Sequence, residues 1–93
     1  MSVIDKLVAL LERLYNESEG YEQDHSEGQL WYNRGYANGM ASFLRLKGYT
    51  AKIEHLNLDA ENLYHNDQVM EWHKAYHHGF EMGLRESEEI TSK

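Results

Sequence analysis

Glycines recur at intervals of four residues inside two segments that otherwise have the apolar spacing of long helices. Gly35 and Gly39 lie in the first segment, and Ala75, Gly79 and Gly83 lie in the second. A glycine inside a helix costs about 1 kcal/mol relative to alanine, so a close contact has to offset it. Residues four apart share one face of a helix, so each helix has a flat groove. We expect the two helices to cross at these grooves, although a groove turned outward would instead hold a partner helix or a flat ligand.

The chain has 93 residues and contains neither proline nor cysteine. The absence of proline favours helices, and the absence of cysteine excludes disulfides and thiolate zinc sites. This length allows one hydrophobic core, so residues 1–93 are expected to form a single domain. No stretch has the roughly 18 apolar residues that cross a bilayer, and the first residues lack the features of a secretory signal. We therefore expect a cytoplasmic protein with no membrane partner.

The spacing of apolar residues predicts a mainly α protein, built as a small bundle of three to four helices. The long helices are expected over residues 3–17, 27–47 and 66–89, with a short element near 50–58. That element fits either one short strand or one short helix. We favour a short helix or an irregular connection, because a strand needs a partner strand and none is evident. The predicted core residues are Leu7, Leu11, Leu14, Trp31, Tyr36, Met40, Phe43, Val69, Trp72, Tyr76 and Phe80.

Polar residues and one glycine indicate where these helices begin and end. Ser26 and Gln29 have the spacing of a capping box at the start of the second helix. Gly48 supplies the left-handed residue that commonly ends a helix. The other candidate N-caps are Ser2 for the first helix and either Asn66 or the upstream Asp59 for the last.

The two glycine-containing segments also resemble each other. A shift of forty residues places Tyr36 on Tyr76 and Gly39 on Gly79. The agreement covers a short segment, and it fits either the duplication of a helical unit or chance.

Charge is unevenly distributed along the chain, whose formal net charge is -7. Residues 1–27 contain seven acidic and two basic residues, and residues 54–93 contain nine acidic and three basic residues. The middle segment, residues 28–53, contains four basic residues and no acidic one. We expect the central helix to lie between the two acidic segments, with cations meeting anions inside the fold.

The acidic loop over residues 17–27 and the acidic end of the last helix present spaced carboxylates that can imitate a phosphate backbone. In size, charge and lack of cysteine, the chain resembles the small acidic inhibitors carried by phages and mobile elements. The resemblance implies a non-enzymatic protein that docks on, and inhibits, a nucleic-acid-handling protein with a basic surface, without binding nucleic acid itself. The candidate partner-binding residues are Glu17, Glu19, Glu22, Asp24, Glu27, Glu86, Glu88 and Glu89.

An alternative function uses the basic, aromatic segment over residues 28–53. Aromatic rings can stack on a base while cations bind phosphate, so this segment could make the chain an oligomeric nucleotide-binding or nucleotide-sequestering protein. The residues that would form such a site are Trp31, Arg34, Tyr36, Arg45, Lys47 and Tyr49.

A second alternative is a metal-binding helical protein, since the chain contains six histidines. His73 and His77 lie four residues apart on one helix face, and Glu81 continues the row. Either His65 or His55 is a candidate for a third ligand. The zincin pattern requires a glutamate directly after the first histidine, where this chain has Lys74, so a metalloprotease is excluded.

The sequence contains no recognisable catalytic arrangement. None of Ser18, Ser26 and Ser42 lies in a nucleophile-elbow context. The chain also lacks the paired acidic motifs with which helical pyrophosphatases hold magnesium. We expect a protein that is not an enzyme, needs no cofactor and gains stability by forming a homodimer, because a small core must carry four helix glycines.

Overall fold

The computed structural model describes residues 2–24, 26–60 and 70–92. These residues form helices α1 (Val3–Glu17), α2 (Gly28–Leu46), α3 (Thr50–Ile53) and α4 (Glu71–Thr91), with a 3₁₀ turn at Tyr21–Gln23. The described ranges contain no strand, so the short element near 50–58 is a helix. The protein is a small, mainly α helix bundle, as the apolar spacing predicts. None of these helices is both long enough and apolar enough to cross a membrane.

Two of the predicted helix ends are confirmed by their hydrogen bonds. The hydroxyl oxygen of Ser2 accepts from the Asp5 backbone N–H at 3.1 Å and caps α1. At the end of α2, Gly48 has a left-handed φ of 85°. The N–H of Gly48 donates to the carbonyl of Arg45, and the N–H of Tyr49 donates to that of Leu44. These two bonds form a Schellman motif, which explains why α2 stops there.

The start of α2 differs from the prediction. Its N-cap is Glu27, whose side chain makes no capping bond. The Ser26 hydroxyl donates to Asp24 at 2.7 Å, and the Gln29 amide donates to Asn33 at 2.8 Å. The capping-box prediction is therefore wrong, because each side chain finds another partner nearby.

The last helix also begins later than residue 66. Met70 has an extended backbone with φ -82° and ψ 148°, so α4 begins at Glu71. Asn66 and Val69 lie outside the described residues. Asp59 does not cap α4, because its carboxylate is bound to α2, as described below.

Helices α2 and α4 cross with their backbones in contact at the four predicted glycines. A Cβ atom on Gly35 would overlap the carbonyl oxygen of Tyr76, and one on Gly39 would lie 2.9 Å from the amide nitrogen of Leu84. Real Cβ atoms essentially never approach other atoms that closely. Gly35 contacts Tyr76, and Gly39, one turn later in α2, contacts Phe80, one turn later in α4. The two helices therefore run parallel.

The crossing has an approximate two-fold symmetry that the forty-residue shift does not describe. Gly35 meets Tyr76 while Gly79 meets Tyr32, and Gly39 meets Phe80 while Gly83 meets Tyr36. Equivalent positions are therefore 44 residues apart, one helical turn from the forty-residue shift. The equivalent pairs are Tyr32 and Tyr76, Gly35 and Gly79, Tyr36 and Phe80, and Gly39 and Gly83.

Helix α1 packs against α2 and runs antiparallel to it. Its Tyr15 hydroxyl binds Asn38 near the middle of α2, whereas Ile4 at its start lies beside Phe43 near the end of α2. The core between α1, α2 and α3 consists of Leu7, Leu11, Ala37, Met40, Ala41, Phe43, Leu44 and Ile53, and a second cluster consists of Tyr21, Trp31 and Tyr76.

Most of the predicted core residues lie in these two clusters. The predicted residues that are only partly buried are Leu14, Tyr36, Trp72 and Phe80. Those four border a cluster on its outer side. Tyr21 and Ile53 are buried without having been predicted, because each lies outside the long helices whose spacing identified the core.

Candidate functional site

Over its described residues, 17–24 and 26–27, the acidic loop is held by hydrogen bonds of its own backbone. Gly20 has a left-handed φ of 79°, which lets the chain turn sharply after α1. The N–H groups of Tyr21, Gln23 and Asp24 then donate to carbonyls three residues earlier in the chain. The loop is consequently a series of hydrogen-bonded turns with a defined shape.

Tyr21 anchors the loop to the interior. Its side chain is only 2% exposed and packs edge-on against Trp31, with ring centroids 4.8 Å apart. The Tyr21 hydroxyl donates to the Asp59 carboxylate at 3.1 Å. From the other side, the indole N–H of Trp31 donates to the carbonyl of Asp24 at 3.1 Å. Two aromatic side chains thus attach the loop to the bundle.

Arg34 lies beneath the loop and is the only lysine or arginine between Arg13 and Arg45. It is 7% exposed, and its guanidinium stacks on the rings of Tyr15 and Tyr21 at 3.9 and 4.5 Å. The hydrogen-bond acceptors of Arg34 decide whether its positive charge is available to the carboxylates of the loop.

All three guanidinium nitrogens of Arg34 point inward. Nε donates to the Ser18 hydroxyl at 2.8 Å, and Nη2 donates to the carbonyls of Tyr15 and Ser18. Nη1 donates to both oxygens of Asp59 at 3.2 Å. The charge of Arg34 is therefore balanced by Asp59 in the interior and not by the carboxylates of the loop.

The outward carboxylates of the loop are consequently not compensated by Arg34. Glu17, Glu19, Glu22 and Glu27 are exposed, and Asp24 is half-buried. Glu17 pairs with Arg13 at 3.0 Å. Within the described part of the chain, Glu19, Glu22 and Glu27 make no ion pair. This end of the bundle therefore presents a negatively charged surface of fixed backbone shape.

Asp59 connects this surface to the rest of the molecule. Besides Arg34 and Tyr21, its carboxylate accepts from the Asn38 amide at 3.0 Å. The Asn38 amide also donates to the Tyr76 hydroxyl at 2.7 Å, which brings α4 into the network. One polar network thus joins the loop, α2, the segment after α3 and α4.

Tyr15 completes the network from α1. Its hydroxyl donates to the Asn38 side-chain oxygen and accepts from the Asp59 backbone N–H. Burial raises the pKa of Tyr15 to about 12, so the neutral phenol is maintained across the physiological range.

Sequence reasoning did not identify Tyr15, Asn38 or Asp59 as parts of a site. Asn38 carried a usable signal, because a polar side chain between the small residues Ala37 and Gly39, in a helix expected to pack closely against another, needs a buried partner. No pattern in the sequence points from Asn38 to Asp59.

The acidic residues of α4 lie elsewhere. Because α4 runs parallel to α2, its end lies at the opposite end of the bundle from the loop. Glu86 is half-buried and accepts from the Tyr36 hydroxyl at 2.5 Å, and burial together with this bond raises the pKa of Tyr36. Glu89 lies 3.6 Å from Arg85, and Glu88 is exposed. The predicted partner-binding residues therefore form two separate groups.

The six candidate nucleotide-binding residues are not brought together either. Trp31 and Arg34 are buried beside the loop, and Tyr36 is hydrogen-bonded to α4. Arg45 is half-buried. Only Lys47 and Tyr49 share a surface, an open cleft of about 350 Å³ at the opposite end, which is also lined by Ile4, Phe43, Glu88, Thr91 and Ser92.

The histidine row on α4 is partly inside the fold. His73 is 1% exposed, and its ring stacks on Trp72 with centroids 5.0 Å apart. His77 lies beside it at 5.1 Å, whereas Glu81 is exposed. Over residues 2–24, 26–60 and 70–92, no three histidine or acidic side chains could hold a metal ion together. His65 lies outside those ranges.

Comparisons of the chain with protein-family models, with curated proteins and with solved structures gave no match.

Proposed function

We propose that this protein is a non-enzymatic binding protein that docks its acidic loop on a basic surface of another protein. The observation that carries the proposal is the inward orientation of Arg34. Because this cation is balanced by Asp59, the carboxylates of Glu19, Glu22 and Glu27 are left for a partner.

The anchoring of the loop supports this function energetically. A flexible acidic segment would lose conformational entropy on binding, which weakens association. Here Tyr21 is buried and Trp31 holds the Asp24 carbonyl, so most of that ordering has already occurred on folding. The loop therefore presents its carboxylates in a prearranged form.

The chemistry of the surface also indicates the class of partner. Closely spaced carboxylates attract arginine and lysine side chains and repel phosphates. A protein that binds nucleic acid presents such a basic groove, and the loop would occupy it in place of the phosphate backbone. Inhibition of that protein then follows from competition for the groove.

The test is an affinity capture from cytosolic lysate with the immobilised wild-type chain and two variants. The double substitution Glu19→Lys and Glu22→Lys reverses two loop charges. The double substitution Glu54→Lys and Glu81→Lys makes the same change in net charge at exposed positions outside the loop.

We expect the wild type and the control variant to retain a basic protein, and the loop variant to lose it. Because the attraction is between exposed charges, retention should also fall steeply with added salt. If no protein distinguishes the loop variant from the control variant, the proposal is wrong.

A further inference from the structure

The end of the bundle opposite the acidic loop exposes a group of apolar side chains. Leu46 is 75% exposed, Ile90 45%, Val3 43% and Tyr49 37%. Val3 lies in the first turn of α1, and Ile90 lies in the last turn of α4. Leu46 is the last residue of α2, and Tyr49 follows shortly after it. The ion pair between Lys52 and Asp5, at 3.7 Å, holds α3 against the same end. We refer to this surface as the apolar end.

The cleft at the apolar end follows from the two-fold crossing of α2 and α4. The glycine pairs allow backbone contact, but the next equivalent pair along the helices is Phe43 and Ser87. A phenylalanine ring cannot fit where two backbones touch, so direct backbone contact cannot continue beyond Gly39 and Gly83. The resulting cleft, with Phe43 and Ile4 in its lining, has a volume of about 350 Å³.

The cleft carries one positive and one negative side chain. Lys47 comes from the end of α2 and Glu88 from the end of α4. Among the described residues, neither side chain makes an ion pair. The Lys47 ammonium lies over the Phe43 ring, 5.9 Å from its centroid.

Glu88 is also unfavourably placed on its own helix. It lies in the last turn of α4, which contains no basic residue. The carbonyl groups at a helix C-terminus carry partial negative charge, so a carboxylate there is destabilised unless a cation approaches. A cation from outside the chain would remove that cost.

We propose that the apolar end binds a second copy of this chain in a two-fold dimer. In such an interface each patch meets its own copy, so Lys47 of each chain pairs with Glu88 of the other. Leu46 and Ile90 of both chains become buried, and the apolar side chains around the cleft lose their contact with water.

Charge favours this end over the other for self-association. Two acidic loops facing each other would place uncompensated carboxylates of the same sign together, which opposes association. A dimer joined at the apolar ends directs both acidic loops outward. The proposal does not depend on the function of the loop, although the two together give a bivalent acidic protein.

The test is sedimentation equilibrium of the 93-residue chain over a series of concentrations. We expect a monomer–dimer equilibrium whose dissociation constant rises at least about tenfold in Lys47→Glu and in Glu88→Lys, since each reversal creates two like-charge contacts. The variant with both substitutions restores opposite charges across the interface and should recover most of the affinity. Leu46→Glu should give a monomer, and circular dichroism verifies that each variant is folded.

The loop variant Glu19→Lys, Glu22→Lys serves as the control and should dimerise like the wild type. A chain that is monomeric at every concentration overturns the proposal, as does a dimer unaffected by Lys47→Glu, Glu88→Lys and Leu46→Glu. A dimer lost in the loop variant alone would place the interface at the acidic end and would equally refute it. Failure of the capture experiment leaves this result unaffected, since the two assays use different surfaces.

Discussion

Arg34 is the residue on which both the fold and the proposed docking surface depend. Its planar guanidinium makes five hydrogen bonds to Tyr15, Ser18 and Asp59, whereas a lysine ammonium has only three donors. Because Arg34 is buried, Asp59 must neutralise it, and removal of either partner leaves a costly unpaired charge. The same pairing keeps Arg34 from neutralising the loop.

We predict that Asp59→Asn destabilises the protein by about 3 kcal/mol, because a neutral amide leaves the Arg34 charge buried without a counterion. The measurement is the free energy of unfolding in urea. Glu17→Gln removes the exposed pair with Arg13 and should have only a small effect, since surface pairs contribute little. Equal losses in the two variants would contradict the central role of the buried pair.

At the scale of helices, the crossing of α2 and α4 depends on the absence of four side chains. The glycines reduce the intrinsic stability of each helix, yet they allow backbone contact along two consecutive turns. One turn before Gly35 and one turn after Gly39, α2 holds the large rings of Trp31 and Phe43, whose equivalents on α4 are Ala75 and Ser87. The glycines therefore fix both where the helices touch and where direct backbone contact ends.

We predict that Gly39→Ala destabilises the protein by about 3 kcal/mol or more, despite the better helix propensity of alanine. The added methyl group would collide with backbone atoms of Phe80 and Leu84, which cannot move aside as a flexible side chain could. Thermal and urea unfolding measure the loss.

Gly28→Ala is the matched control for that substitution. Gly28 is the first residue of the same helix, and a Cβ atom there meets nothing within 4 Å. We expect its stability to equal or slightly exceed that of the wild type. If the two alanine variants are equally stable, the backbone contact at Gly39 does not hold α4 in place.

At the scale of the whole molecule, the parallel arrangement of α2 and α4 gives the bundle two different ends. The loop between α1 and α2 forms an acidic end, whereas the ends of α2 and α4 form an apolar end with an open cleft. We propose a basic partner for the acidic end and a second copy of the chain for the apolar end. Repulsion among the loop carboxylates should then lower the folding stability of the isolated molecule.

We predict that the loop variant Glu19→Lys, Glu22→Lys is more stable than the wild type at low salt, by about 0.5 kcal/mol. High salt should abolish the difference, because it screens exposed charges. Urea unfolding at low and high salt measures the effect. The control variant Glu54→Lys, Glu81→Lys should show no gain, since its new lysines lie near Lys52 and Arg85 in the sequence. A destabilised loop variant at low salt would contradict an uncompensated acidic surface.

Local chemistry determined much of the architecture. The Ser2 cap and the apolar spacing placed α1 at residues 3–17, and Gly48 fixed the end of α2 because a left-handed residue there costs glycine little. The glycines four apart predicted the close crossing of the two long helices, since only such a contact offsets their cost. The candidate site was predicted in part, because the run of acids from Glu17 to Glu27 is evident in the sequence.

Tertiary structure alone decided where each charge points and which groups lie together. Asp59 binds Arg34 across 25 residues of chain, and no local spacing encodes that contact. The acids at the end of α4 were separated from the loop by the parallel direction of α2 and α4, a property of the packing and not of either helix. Local preferences depend on neighbouring residues and are readable in sequence, whereas the pairing of distant charges depends on the packing of the whole chain.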